Sequence, residues 1–174
     1  GDLVTNWLKE DQSPASYAAK IQEKAPTYNG YNLIYGDFQQ LYFQSNVNAN
    51  LGPIKKGVHG VSNAALDTPW PKVLKAKSEM ERLLSSRLNA EKLAPELFDF
   101  MSSEEQAPDH LLPNTGIGLE WERKLSALNI RTDNYGTRVT SVVMVDSGGL
   151  VQVIELNRVT HERAHFEFQL ASFS

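Results

Sequence analysis

A literal H-E-x-x-H runs from His161 to His165, as His161-Glu162-Arg163-Ala164-His165. On a helix this spacing brings two imidazoles to one face, ~6 Å apart, where they can share a catalytic zinc. Here the motif leads directly into Phe166-Glu167-Phe168-Gln169-Leu170, an alternating run that predicts a strand. On a strand the two rings would stand ~13 Å apart, and no third ligand cluster follows, so an ordinary charged connection is the better reading. Asn63 closes the stretch Gly60-Val61-Ser62-Asn63 at the exit of a strand-like run. Its carboxamide suits either a turn cap or a donor to an oxyanion. Arg138 stands two residues after Gly136, in a run that reads as a buried strand. A guanidinium buried there needs an acidic or carbonyl partner, as a structural ion pair or as a pocket residue. His59 either packs in a strand or contacts a ligand. Trp70 and Trp121 read as core.

Composition narrows the chemistry around these residues. The chain has 174 residues, 41% hydrophobic and 22% charged, as expected of one folded domain over 1–174. Lys and Arg total 17 against 21 for Asp and Glu, a formal charge of −4 with no concentrated basic face, which argues against a dedicated nucleic-acid binder. No apolar run approaches the ~20 residues of a membrane span. Cysteine is absent, so disulfides, thiolate metal sites and a cysteine nucleophile are excluded on this chain. Glycine-rich nucleotide loops, the G-x-S-x-G elbow and calcium loops are absent too.

The elements that must position these side chains follow from periodicity. Leu3, Trp7 and Leu8 mark a helix already under way near Gly1, as if the chain begins inside a longer protein. Ser13-Pro14 predicts a second helix start, with Tyr17, Ala18 and Ile21 on one face, ending before Pro26. Strands are expected at Tyr31 to Tyr35 and Leu41 to Gln44, joined by Gly36-Asp37, and a third at Gly57 to Val61 after a Gly52-Pro53 loop. Asp67 to Pro71 opens the longest helix, where Val73, Leu74, Lys77, Met80, Leu83, Leu84 and Leu88 advance by threes and fours along one stripe. Shorter helices are expected near Ala94 to Met101 and Leu119 to Leu128, with a polar loop from Ser102 to Pro113 between them. Thr137 to Val145, the turn Asp146-Ser147-Gly148-Gly149 and Leu150 to Leu156 form a hairpin. Val142 to Val145 leave neither face polar, so this strand calls for cover on both sides.

Four stretches together resemble one family: Tyr28 to Ile34 (Tyr28-Asn29-Gly30-Tyr31-Asn32-Leu33-Ile34), His59 to Lys72 with its Ser62-Asn63 and Pro69-Trp70-Pro71, Asn134 to Arg138, and Val142 to Gly149. The chain is similar over nearly all its length to the transport and Golgi organisation protein 2 family, also called the NRDE family. The resemblance implies an α+β αββα sandwich of largely antiparallel sheets flanked by helices, like the N-terminal nucleophile hydrolases, here lacking its N-terminal strands. It matches Asn63 to an oxyanion asparagine and Arg138 to an arginine near the nucleophile. The family's N-terminal cysteine and Asn-Arg-Asp-Glu signature have no counterpart in these residues. A missing N-terminal segment would therefore be the first partner, and a free sheet edge or an exposed apolar face is expected in its place.

Three functions are carried forward. The first is haem trafficking or homeostasis, or other small-ligand handling, with haem as transported ligand rather than required cofactor. By residue type, His59, His161 and His165 are its candidate axial ligands. The second is an N-terminal-cysteine amidohydrolase acting on linear amide bonds. The third is a protein-interaction module with an inactive pocket. In every case Asn63, Arg138 and His59 are the expected site residues, no bound metal is expected, and the expected compartment is cytoplasmic.

Overall fold

Ser13 and Pro14 start a helix as their types require. The Ser13 side chain accepts from the Ser16 N–H, and Pro14 takes the first helical turn, where its missing N–H costs nothing. The computed structural model describes residues 1–48 and 51–171. The fold class is α+β, with helices and two antiparallel three-stranded sheets, one in each of two units, Gly1–Thr68 and Pro69–Ser174.

In the first unit, α1 (Asp2–Lys9), α2 (Pro14–Lys24) and a 3-10 turn (Ala25–Thr27) precede β1 (Asn32–Gly36), β2 (Leu41–Ser45) and β3 (Leu51–Pro53). The strand order is β1-β2-β3, with Ile34 opposite Phe43 and Phe43 opposite Gly52. Tyr17, Ala18 and Ile21, the predicted face of α2, pack on Leu33 and Tyr35 of β1. The rings of Trp7, Tyr17 and Tyr35 meet one another in pairs at 5.4, 5.2 and 5.3 Å, an aromatic core for a small sheet. At the β1–β2 turn, a Cβ on Gly36 would meet the Gln40 carbonyl at 2.2 Å, so glycine is required. Asp37 Oδ1 accepts from the N–H groups of Gln39 and Gln40, both at 2.8 Å, and closes the turn.

The third strand is displaced from its predicted place. It forms at Leu51–Pro53, and residues 57–61 join no ladder. Pro53 is tolerated because β3 is the edge, where its missing N–H faces no partner strand. Gly57 has φ +146°, and the following residues spend their backbone groups on a side-chain-closed loop.

In the second unit, α3 (Pro71–Ser85) and α4 (Ala90–Phe100) are followed by a 3-10 turn (Asp109–Leu111), α5 (Leu119–Leu125) and β4 (Val139–Val145), β5 (Leu150–Asn157) and β6 (Arg163–Gln169). The helix α4 starts four residues earlier than expected because Asn89 caps it, accepting from the Lys92 N–H. Pro95 is thus inside the helix, at the loss of one backbone bond. The hairpin register runs from Val139 opposite Asn157 to Val145 opposite Val151, and β6 adds to the far side of β5.

The core of this unit joins Leu83 of α3 and Ala94, Leu97 and Phe98 of α4 to Val142 and Ile154 of the sheet. β4 is therefore covered on the face that carries Thr140 and Val142. The expectation of cover on both faces does not hold: Val139 and Val143 are exposed on the opposite face, as is Phe166, which β5 connects to Val143 through Val153. His165 lies in β6 and His161 in the turn before it at φ +62°, so the H-E-x-x-H sequence occupies a turn and a strand, not a helix.

Candidate functional site

The loop from Gly57 to Asp67 is shaped by two side chains. Asp67 Oδ1 accepts from the Gly60 N–H at 3.0 Å, Asp67 N–H donates to the Gly60 carbonyl at 2.7 Å, and Oδ2 meets His59 Nδ1 at 2.6 Å. Asp67 holds φ +58°, a left-handed conformation that aspartate adopts more readily than most residues. Asn32, on β1, donates from Nδ2 to the carbonyls of Ser62 at 3.0 Å and Ala64 at 2.7 Å. The residue between those two anchors is Asn63, whose side chain is exposed. Two acceptors on Nδ2 fix the orientation of the Asn32 amide, which leaves Asn32 Oδ1 buried without a partner among the described residues. Such an acceptor is costly unless a ligand or water reaches it.

His59 lies in this loop and not in a strand. Its Nε2 meets the Lys55 carbonyl at 2.9 Å, so both ring nitrogens face protein acceptors. Beside the loop lies a cavity of about 550 Å³, walled by Ile34, Phe38, Leu41, Ile54, Val61 and Leu66. Among the described residues its lining includes two charged side chains, Lys55 and Lys56, and the His59 ring.

Arg138, in the second unit, is exposed and precedes β4, so it is not the buried guanidinium that the sequence suggested. Its carbonyl accepts from the Arg158 N–H at 2.8 Å. The arginine that meets the expected structural demand is Arg158. Its Nε donates to Thr140 Oγ1 at 2.8 Å, and its terminal nitrogens donate to Ser102 Oγ at 2.6 Å and to the Phe98 carbonyl at 3.4 Å, tying the hairpin to the end of α4. Lys72, from the Pro69-Trp70-Pro71-Lys72 stretch, donates to the Leu125 carbonyl at 2.9 Å, and burial pushes its ammonium below the usual lysine range.

Asn63 and His59 thus share one loop of the first unit, and Arg138 belongs to the second. Sequence reasoning passed over Asn32 and Asp67 as site-forming residues. Both stand inside the stretches singled out for their motif character, near Gly30 and before Pro69, but nothing in their types tells that Asn32 reaches a loop 30 residues on or that Asp67 closes that loop from its far end.

Comparison with known proteins places this architecture. The family model described as Transport and Golgi organisation 2 matches residues 1–160. The chain is 30% identical over 187 aligned residues to the Transport and Golgi organization protein 2 homolog of Homo sapiens, with all of this chain and 67% of that protein covered. It is 28% identical to the Transport and Golgi organization 2 homolog of Mus musculus, with the same coverage of both chains. The Transport and Golgi organization protein 2 of Drosophila melanogaster is 28% identical over 166 residues, with 88% of this chain and 58% of that protein covered. The motif stretches, the α+β fold and a match across almost the whole sequence converge on one assignment: the chain belongs to the Transport and Golgi organisation 2 family.

Proposed function

We propose that the protein handles a small acidic ligand with an apolar body, haem being the leading example, on a hydrolase-like αββα scaffold. The cavity beside the Gly57–Asp67 loop carries this reading, because apolar walls with Lys55 and Lys56 as charged lining suit a carboxylate attached to an apolar skeleton. Haem fits these residues through its propionates and apolar faces. It fits less well through His59, whose Nε2 would have to leave the Lys55 carbonyl before it could bind iron.

Among the described residues no helix is long and apolar enough to cross a membrane. A cytoplasmic site of action belongs to the same proposal. A second reading, an amidohydrolase of linear amide bonds, draws on the Asn63 carboxamide, exposed on a loop pinned on either side by Asn32. That geometry suits a preorganised oxyanion donor. The nucleophile would come from outside these residues, since they include no cysteine.

Haem titration tests the carrier reading. A shifted Soret band is expected, with affinity lowered roughly 10- to 100-fold by Lys55→Glu, by Lys56→Glu or by the double change, the range for loss of a charged hydrogen bond. An unshifted Soret band would reject haem. Unchanged affinity in all the variants would reject this site.

A further inference from the structure

We propose that Lys72 is an amine site for short-chain aldehydes, set in a small cavity between the start of α3 and the segment after α4, where it takes a carbonyl compound as an imine. The site belongs to the second unit and does not rest on the ligand reading above.

Lys72 stands at the second position of α3, in the Pro69-Trp70-Pro71-Lys72 stretch. Its Nζ reaches the end of α5 and donates to the Leu125 carbonyl at 2.9 Å. That carbonyl is its hydrogen-bond partner, and no carboxylate pairs with it among the described residues. A neutral carbonyl offsets less of a desolvated charge than a carboxylate does, so burial favours the uncharged amine. Lys75, one turn further along α3, lines the same cavity and shows the contrast. Its ammonium meets Glu105 Oε2 at 2.6 Å and Ser103 Oγ at 3.0 Å, so its charge is matched. Capping the last carbonyl of α5 would need only an exposed cation; a half-buried lysine without a counter-ion is a different object.

The cavity measures about 130 Å³, with Pro71, Ala107, Pro108 and Leu128 as its apolar walls and Ser126 and Glu105 in its polar lining. The Ala107 N–H donates to Ser126 Oγ at 2.8 Å, which pins the segment after α4 to the residue that follows α5. Lys75 and Glu105 tie the same segment to α3. The walls are thus joined to one another within one unit, and the site depends on no free strand edge and no uncovered sheet face. A water in the liquid takes up about 30 Å³, so the space admits roughly three to five non-hydrogen atoms, the size of a short-chain aldehyde.

The uncharged amine keeps one N–H on the Leu125 carbonyl during addition and presents a lone pair. The lone pair attacks the aldehyde carbon, and an amine proton passes to the carbonyl oxygen. The carbinolamine then loses that hydroxyl with the second amine proton as water, leaving a C=N bond to Nζ.

Limiting propanal with cyanoborohydride, followed by peptide mapping, tests the site in the folded protein. Near neutral pH the reduced adduct is expected on Lys72 ahead of the exposed Lys9 and Lys92. The preference should vanish near pH ~10, where exposed lysines also lose their proton, and in urea-unfolded protein. Lys72→Arg keeps a donor for the Leu125 carbonyl, and should lose the adduct while holding the parent's unfolding midpoint. Ala107→Leu fills the cavity without touching the backbone bond to Ser126, and should abolish the preference while Lys9 and Lys92 react as before. Labelling of Lys72 no faster than of Lys9 and Lys92 near neutral pH overturns the proposal. So does a preference that survives unfolding or Ala107→Leu.

Discussion

Asn32 holds the shape of the candidate site through one amide group. Its Nδ2 takes two carbonyls that flank Asn63, and its Oδ1 is left buried and unpaired. Aspartate at this position would turn an acceptor toward those two carbonyls, so Asn32→Asp is expected to destabilise the fold more than Asn32→Ala. The alanine variant should lose about 1–3 kcal/mol, the range for two stranded backbone acceptors. Urea unfolding checks the magnitude, and amide shifts for residues 60–66 check that the change is in the loop. A variant with native loop shifts would separate Asn63 from Asn32. His59 and Asp67 act at the same scale, because their contact at 2.6 Å closes the loop between them.

At the scale of elements, α2 and β1 depend on a cap and an aromatic cluster. Ser13→Ala removes the acceptor for the Ser16 N–H and should cost about 1 kcal/mol, read as a shift in the unfolding midpoint. Tyr35 gives this unit an alkaline limit. Burial pushes its phenol up to about 12, with the neighbouring Tyr42 and Tyr17 adding to the effect. The folded value lies above the unfolded one, near 10, so the neutral phenol favours folding fully below about pH 10. That contribution is lost as pH rises toward about 12. Phenolate absorbance should show late-titrating tyrosines, because burial also pushes Tyr17 and Tyr31 up, and Tyr35→Phe should remove the latest of them and flatten the loss of stability across that window. Equal stability loss in the variant would assign the effect to other groups. In the second unit, Arg123 beside Asp109 holds that carboxyl below the usual range and ties α5 to the preceding 3-10 turn.

At the scale of the molecule, the second unit is a sheet covered by helices on one face. Val139, Val143 and Phe166 remain exposed on the other, with Phe166 at 62% and Val143 at 60% of full exposure. Together they form an exposed apolar face on this sheet, the kind of surface that soluble proteins keep for contact. Val143→Thr with Phe166→Thr should lower binding of a hydrophobic dye and leave the unfolding midpoint within roughly 0.5 kcal/mol of the parent, as expected for surface positions. A large loss of stability would show that these side chains are already packed in solution.

Local chemistry decided much of this before any fold was known. Ser13-Pro14 starts a helix wherever it stands, Gly36-Asp37 closes a hairpin, and the β-branched runs around Asp146 to Gly149 pair because their turn allows nothing else as well. The stretch from His59 to Lys72 was specific enough to point to the family, which the match over residues 1–160 bears out. Other assignments depended on contacts distant in sequence. The third strand went to Leu51–Pro53 because β2 offered an edge there, and residues 57–61 were taken up by the loop that Asp67 closes. Arg138 and Arg158 are equivalent as residue types, and only the packing of the hairpin on α4 made Arg158 the half-buried anchor. The role of Asn32 arose in the same way, since a carboxamide can bond to any nearby carbonyl and only the tertiary fold brought Ser62 and Ala64 within its reach.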